Sequence, residues 1–265
     1  MNREDIIAKT VDYILSHEDG SRMLVINAIR ESCPECSEEL CYELVYAVEQ
    51  AVKDKGAVLD YSEYGYVDDD IAYHMPFTLK RFNSKNAFIT NFQSPVEYAD
   101  LVERCDEGRG TSLDILLSDS NDDYTVWTVS KDAQPGDTVV FMCAKTSKDH
   151  MGHVCSVARK EGNERYLEYA EEKRALYKQY AGSIVAVGRV CSDAFQDRDP
   201  SINQYWRSPW YAKIDRVQLL ADRVTIDDFR DFIKVSRTGA ITKLTDEQWL
   251  ELKGMILERN KDLTI

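Results

Sequence analysis

The first 54 residues carry apolar side chains at the spacing of amphipathic helices. Ser21 is a suitable N-cap for the second of three predicted helices, and Gly56 fits the position just after the third. The three apolar stripes contain Ile6, Ile7, Val11 and Ile14, then Leu24, Ala28 and Ile29, then Leu40, Cys41, Leu44, Val45, Val48 and Val52. Alternating apolar residues from Ile71 to Leu79 predict a strand that Pro76 makes an edge strand or a broken one. Three helices followed by a β-ribbon predict a winged-helix-like, mainly helical domain over residues 1–81.

A continuous apolar run lies near the middle of the chain. Residues 138–144 (TVVFMCA) are too uniformly apolar for a half-solvated strand, so they predict a central strand that is buried on both faces. The run follows the turn 134–137 (QPGD), in which proline and glycine favour the backbone angles that a turn requires. Residues 183–190 and 210–220 are predicted to pair with this strand, and residues 113–117 (LDILL) to form the first strand of the same domain.

Residues 82–110, between these two regions, are rich in Asn, Ser and Gly at both ends. They are predicted to form a linker with a short helix, so that a second domain spans residues 111–265. Within that domain, helices are predicted to begin near Thr146, Asn163, Thr225 and Thr245 and to cover the strands, with capping boxes pairing Thr146 with Asp149 and Thr245 with Gln248.

The acidic character of the chain is concentrated in its first part. Residues 1–110 contain 11 Lys and Arg against 22 Asp and Glu, whereas residues 111–265 contain 22 against 25. A broad basic surface that would hold nucleic acid non-specifically is therefore absent from the sequence, and any such contact must rest on a local patch or a pocket. The acidic runs 38–39 and 68–70 favour protein interaction or oligomerisation over DNA binding for the first domain.

Targeting features point to the interior of the cell. No stretch is apolar over the length of a membrane-spanning helix, and the charged N-terminal sequence MNREDIIAKT differs from a secretory signal. Seven cysteines, an odd number, fit reduced thiols better than a disulfide framework. We therefore expect a cytoplasmic protein without membrane contact.

Two short motifs have the spacing of metal ligands. Residues 33–36 form a CxxC with Cys41 nearby, but no second ligand pair completes a zinc site, and two ordinary thiols at a helix start are the preferred interpretation. His150 and His153 form an H-x-x-H whose nearby acidic residue is Asp149. Motifs for phosphate loops and activated nucleophiles are also missing. The sequence predicts neither a metal nor a cofactor, and an enzymatic role is disfavoured but left open.

The tryptophans are the strongest candidates for a binding site. Trp249 lies on an amphipathic helix and is assigned to the core. Trp127 follows a loop of Ser, Asp and Asn, while Tyr205, Trp206 and Trp210 lie in the proline-punctuated segment 199–210. Large rings beside polar loops are typical of a surface that receives a flat ligand such as a base.

The order of these segments resembles the EVE domain, a member of the PUA-like superfamily related to the YTH domain. The resemblance rests on the succession YTVWTVSKDAQPGDTVVFMCA, YAGSIVAVGRV, YWRSPWYAKIDRVQLL, an FxxF helix and GAITKLTDEQWLEL, over about residues 111–262. It implies a small β-barrel with flanking helices that holds a modified nucleobase in an aromatic cage. One cage wall maps to Trp127 and the other to Trp206 or Trp210, and the implied base-binding residues are Trp127, Trp206, Trp210, Tyr205, Thr128, Ser118 and Ser120.

Together the sequence predicts an α+β protein whose C-terminal PUA-like domain binds a modified base in DNA or RNA, and whose N-terminal domain couples this binding to a protein partner. A phosphate-contacting rim is predicted from Lys145, Lys148, Arg189, Arg207 and Lys213. The resemblance also implies a role as a specificity module in prokaryotic defence. The alternatives are an enzyme that processes a modified nucleoside, with Asp119 or Asp122 as its base, and an interaction scaffold with a vestigial pocket.

Overall fold

A computed structural model describes residues 2–61, 75–82, 85–118, 124–196, 210–235 and 241–265. The chain divides into two units: residues 1–84 with 134–136 form the first, and residues 85–133 with 137–265 form the second. Helices and sheets occur in both units, as an α+β class predicts. Across the described ranges, no helix combines the length and the apolar character needed to cross a membrane.

The first unit, within residues 2–61 and 75–82, consists of three helices and an antiparallel sheet. The three predicted helices are confirmed, and the sheet has the strand order β1-β3-β2. Its elements in chain order are α1 (Arg3–Leu15), β1 (Asp19–Ser21), α2 (Arg22–Ser32), α3 (Glu38–Asp54), β2 (Ala57–Asp60) and β3 (Pro76–Arg81). β3 begins at the predicted proline, and the earlier part of that predicted strand, from Ile71, lies outside the described residues.

Most residues of the predicted apolar stripes lie in the core of this first unit, called the first-unit core below. Ile14, Ile29 and Leu44 contribute one side chain from each helix, and each is at most 1% exposed. Leu40 of the third stripe is instead 39% exposed. Ser37 caps α3 by accepting a hydrogen bond from the Leu40 amide. Gly56 has a φ of 80°, the left-handed conformation in which glycine commonly follows the end of a helix, as the sequence predicts.

The second unit is built on a single mixed sheet. The strand order is β10-β4-β6-β7-β9-β5, and β8 pairs with β9 outside this path. The β4–β6 pair is parallel, and the other pairs are antiparallel. The elements in chain order are β4 (Ala87–Phe92), α4 (Tyr98–Glu107), α5 (Ser112–Leu117), β5 (Thr125–Thr128), β6 (Thr138–Cys143), α6 (Ser147–Glu161), α7 (Glu164–Tyr180), β7 (Ile184–Val190), β8 (Phe195–Gln196), β9 (Trp210–Leu219), α8 (Ile226–Phe229), β10 (Ile241–Lys243) and α9 (Asp246–Arg259).

The central strand β6 is buried on both faces, as its apolar run predicts. Val139, Phe141 and Cys143 enter a core that is shared with α4 to α7, called the α6–α7 core below. Val140 and Met142 enter a second core that is shared with α8 and α9, called the C-terminal core below. The predicted pairing of β6 with β7 is confirmed. The predicted pairing with β9 is wrong, because β9 pairs with β7, β5 and β8.

The linker predicted at residues 82–110 is wrong from residue 85 onwards. β4 pairs along its whole length with β6, from Ala87 opposite Thr138 to Phe92 opposite Cys143. Leu101 on α4 is fully buried in the α6–α7 core. This segment therefore supplies an inner strand and a packed helix of the second unit, which begins at residue 85.

Residues 113–117 form the helix α5 rather than the predicted strand. Thr111 and Asp114 make a capping box in which the Thr111 amide donates to Asp114 Oδ2 at 2.7 Å. Asp114 Oδ1 also accepts a hydrogen bond from Lys173 Nζ of α7 at 2.9 Å. A capping box is available only to a helix, so these contacts decide the conformation of a short apolar run that fits either structure.

Two of the predicted caps of the later helices are confirmed, and one is wrong. Capping boxes are present at Thr225 with Asp228 and at Thr245 with Gln248. Thr146 precedes α6 in a helical conformation, and its side chain makes no capping hydrogen bond, so the capping box predicted there is wrong.

The sheet of the second unit is curled into a half-barrel. β4 and β5 lie far apart in the strand order, yet Thr90 Oγ1 on β4 donates a hydrogen bond to the Thr128 carbonyl oxygen on β5 at 3.2 Å. The rings of Phe92 and Trp127, on the same two strands, have centroids 5.8 Å apart. The curl thus brings Trp127 into the α6–α7 core.

Candidate functional site

Trp127 is a buried residue on β5. It is 7% exposed and belongs to the α6–α7 core. Its ring makes an edge-to-face contact with Phe92, at an interplanar angle of 84°. It makes a second one with Phe141, with ring centroids 5.1 Å apart and an interplanar angle of 88°. The sequence hypothesis distinguished Trp127 from core tryptophans because a polar loop precedes it, and the burial of the side chain corrects that distinction.

The indole N–H of Trp127 is nevertheless unlike that of a well-satisfied core tryptophan. Nε1 is shielded from solvent, and no described residue accepts a hydrogen bond from it. Buried tryptophan N–H groups usually have an acceptor, and leaving a buried donor unpaired costs about 1–3 kcal/mol. An unpaired donor at this position therefore requires a specific explanation.

Trp210 lies on the same face of the sheet as Trp127. β5 and β9 are antiparallel, with Trp127 opposite Ala212, and the Val129 amide donates to the Trp210 carbonyl oxygen at 2.9 Å. Side chains two residues apart on a strand share a face, so Trp210 is the diagonal neighbour of Trp127 across this ladder. Trp210 is half-buried at the start of β9. Of the two candidates for the second cage wall, Trp210 is the one that lies in the described residues.

Two of the other predicted base-binding residues, Thr128 and Ser118, lie in the part of the chain that the structure describes. Thr128 is buried, and its carbonyl oxygen is bonded to Thr90. Ser118 is the exposed C-cap of α5, and its hydroxyl donates to the Ile115 carbonyl oxygen at 2.9 Å. Predicted site residues that lie outside the described ranges are Ser120, Tyr205 and Trp206.

Arg189, which the sequence predicts as a phosphate contact, is paired with a carboxylate of the same sheet. Its guanidinium donates two hydrogen bonds to Asp215, from Nε at 3.0 Å and from Nη2 at 2.8 Å. Asp215 is 3% exposed, and the two residues face each other across the β7–β9 ladder. A bidentate pair of this kind fixes the guanidinium against a buried carboxylate, which favours a structural role for Arg189.

The remaining predicted rim cations in the described residues are Lys213, Lys145 and Lys148. Lys213 is opposite Val126 on β5, which places it on the sheet face away from Trp127, and its Nζ lies 4.5 Å above the ring of Tyr124. Lys145 Nζ is 4.0 Å from Asp227. Lys148 is exposed in the first turn of α6, and Arg207 lies outside the described residues.

The described surroundings of Trp127 are those of an apolar core. Its neighbours in the α6–α7 core are apolar, and the thiol of Cys143 in the same core has its pKa raised to about 12 by burial, so it is not a nucleophile at neutral pH. Asp119 and Asp122, the bases of the enzymatic alternative, lie outside the described residues.

The metal-ligand motifs do not form a metal site in the described residues. His150 is half-buried on α6 and His153 is exposed. Throughout the described ranges, no group of three or more His, Cys, Asp and Glu side chains is arranged to hold a metal ion.

Comparisons with known proteins give one distant structural similarity. No family model matches the chain. No curated protein matches it either. Among solved structures, the chain is similar to the crystal structure of the protein Atu2648 from Agrobacterium tumefaciens, with 13% sequence identity and a TM-score of 0.35. The match covers 64% of this chain and 92% of Atu2648.

Sequence reasoning missed the aromatic partners of Trp127. Phe92 lies in the segment that the sequence predicts as a linker, because Asn, Ser and Gly at both ends give that segment the composition of a loop. The detectable signal is the β-prone stretch AFITNF, which is β4. Phe141 was assigned to the central strand, but its contact with Trp127 depends on the curl of the sheet.

Proposed function

We propose that the second unit binds a modified nucleobase, presented by DNA or by single-stranded nucleic acid, beside Trp127 and Trp210. The observation that carries this proposal is the Trp127 indole N–H, which is buried and has no acceptor among the described residues. Every nucleobase has ring nitrogens or carbonyl oxygens that accept hydrogen bonds. A base inserted beside β5 would satisfy this donor.

The rings supply the second part of the interaction. Base stacking on an aromatic side chain contributes roughly 1–3 kcal/mol, and Trp210 is half-buried on the same sheet face as Trp127. Insertion of an extruded base lets stacking and edge hydrogen bonds provide discrimination without a broad basic surface. This mode suits a chain whose net charge is −14.

The arrangement of helices and strands supports a proposed domain type for each of the two units. A curled half-barrel flanked by helices fits a PUA-like domain of the EVE type for the second unit. The first unit has the order α1-β1-α2-α3-β2-β3 with sheet order β1-β3-β2, which fits a winged-helix-like domain. Residues 1–84 contain 8 Lys and Arg against 17 Asp and Glu, so its proposed partner is a protein rather than DNA.

The test is a binding panel of modified and unmodified oligonucleotides and nucleosides, with Trp127→Phe as the diagnostic variant. This change keeps an aromatic ring and removes the N–H, so a ligand acceptor loses its partner at a cost of about 1–3 kcal/mol. The preferred ligand should bind roughly 5- to 150-fold more weakly. Trp210→Ala should weaken the same ligand through lost stacking, by roughly 1–3 kcal/mol.

Trp249→Phe is the matched control, because Trp249 lies on α9 and packs against the C-terminal core. It should bind every panel member as the unmodified protein does. Nucleosides should be recovered unchanged after incubation, whereas a converted product would favour the enzymatic alternative. Unaltered binding by Trp127→Phe, or no binding by any panel member, would leave the interaction scaffold as the better hypothesis.

A further inference from the structure

Three cysteines, Cys33, Cys36 and Cys41, lie in or beside the connection between α2 and α3. Cys33 is the C-cap of α2, and the Cys36 amide donates a hydrogen bond to the Cys33 carbonyl oxygen at 3.1 Å. Pro34 occupies the first central position of the resulting turn, where its fixed φ is favourable. A turn closed in this way holds its two end Cα atoms within about 7 Å. Disulfides form between Cα atoms at up to about 6.8 Å, so the CxxC is spaced for a bond.

The three thiols are close neighbours. The thiols of Cys41 and Cys33 both raise the pKa of the Cys36 thiol. Cys41 lies in the first turns of α3 and is 4% exposed in the first-unit core, while Cys33 and Cys36 are half-buried and pack against that core. Cys36 is therefore the shared member of two thiol pairs.

We propose that Cys33 and Cys36 form a reversible dithiol–disulfide centre that reacts with low-molecular-weight disulfides such as oxidised glutathione, with Cys41 as the alternative partner of Cys36. The Cys33 thiolate attacks the small disulfide, which releases one thiolate and leaves a mixed disulfide on Cys33. Cys36, once deprotonated, then attacks the Cys33 sulfur and expels the second small thiolate. The protein loses two electrons and two protons in total, and one small disulfide becomes two thiols.

The surroundings of Cys36 affect the second step of this exchange. Burial, followed by the neighbouring thiols of Cys41 and Cys33, raises the pKa of Cys36 above the ordinary thiol value. Because the thiolate is the nucleophile, a raised pKa lowers the reactive fraction of Cys36 at neutral pH, and we expect its attack on the mixed disulfide to speed up as the pH rises. The finished bond would fix the turn that connects α2 to α3.

The test treats the reduced full-length protein with oxidised glutathione, alkylates remaining thiols under denaturing conditions, and maps the bonds by peptide mass spectrometry. A Cys33–Cys36 bond that dithiothreitol reverses is expected. Cys41→Ser should retain this bond, and Cys105→Ser, a half-buried cysteine of the second unit, is the matched control that should behave like the unmodified protein.

Two further variants assign the roles within the cluster. Cys33→Ser should divert the bond to Cys36–Cys41, while Cys36→Ser should stop at a mixed disulfide on Cys33. Cys36→Ala serves as a second replacement if the serine variant melts at a lower temperature. The proposal is overturned if Cys33 and Cys36 of the unmodified protein remain open to alkylation, if the reaction stops at the mixed disulfide, or if a metal chelator releases zinc bound by these thiols.

Discussion

Replacing Arg189 by methionine should separate a structural role from the phosphate contact that the sequence predicts. The change leaves Asp215, which is 3% exposed, without the guanidinium that donates to it at 3.0 and 2.8 Å. Breaking a buried ion pair from one side costs about 3–5 kcal/mol. The Arg189 side chain is itself 20% exposed, so we expect the lower end, about 3 kcal/mol.

The expected loss is measurable by thermal unfolding followed through tryptophan fluorescence. All four tryptophans belong to the second unit, so their emission reports on the unit that contains Arg189. For a unit of this size, a loss of about 3 kcal/mol should lower the melting temperature by roughly 6–12 °C. The paired replacement of Arg189 and Asp215 by leucine should recover much of this loss, since no uncompensated buried charge remains.

Arg159→Met is the matched control for the effect of burial. Arg159 also donates to a carboxylate, that of Glu171, at 2.8 Å, but its side chain is 59% exposed. Exposed pairs contribute about 0.2–1 kcal/mol, so this variant should melt close to the unmodified protein. The reasoning is refuted if Arg189→Met melts normally while its oligonucleotide affinity falls and the salt slope decreases by about 1, the behaviour of a phosphate contact.

Two further predictions concern the stability of the second unit. Gly188→Ala places a Cβ 2.7 Å from the Ile214 side chain inside the sheet. This overpacking should lower the free energy of unfolding, measured by chemical denaturation, by about 1–3 kcal/mol. An unchanged denaturation midpoint would contradict the close approach. The hydrogen bond from Arg259 holds the pKa of Asp228 below its value in the unfolded chain. The contribution of Asp228 to the free energy of unfolding is therefore complete above about pH 4 and is lost as the pH falls further. Asp228→Asn should therefore lower stability at pH 7 and flatten its acid dependence, and an acid titration identical to that of the unmodified protein would refute this assignment.

Local patterns were sufficient for the helices of the first unit and for β6. The stripes on α1 to α3 repeat within single helices, and each is long enough to be distinguished from a strand. The run from Val139 to Met142 predicts burial on both faces because it contains no polar position. These features depend on neighbours in the sequence, which is why they could be predicted.

The errors occurred where distant residues decide the outcome. The Asn, Ser and Gly residues at both ends of residues 82–110 suggest loops, but the parallel pairing with β6 makes Ala87–Phe92 a strand. The burial of Trp127 depends on Phe92 and Phe141, which come from two other strands. The error at α5 is an exception, because a local signal was present. The capping box of Thr111 indicates a helix, but the apolar run that follows it was interpreted as a strand.

The position of β4 has a consequence for the order in which the second unit folds. One side of β4 pairs with β6, while its other side pairs with β10, where Ile241 is opposite Thr90. β10 is synthesised far later than β4, so during translation the hydrogen-bonding groups on that side of β4 have no strand to pair with. Sheets that depend on contacts between distant segments form slowly. We therefore expect the sheet to be completed late, after β10 has left the ribosome, and the unpaired edge of β4 to be the site at which an incomplete chain associates with others.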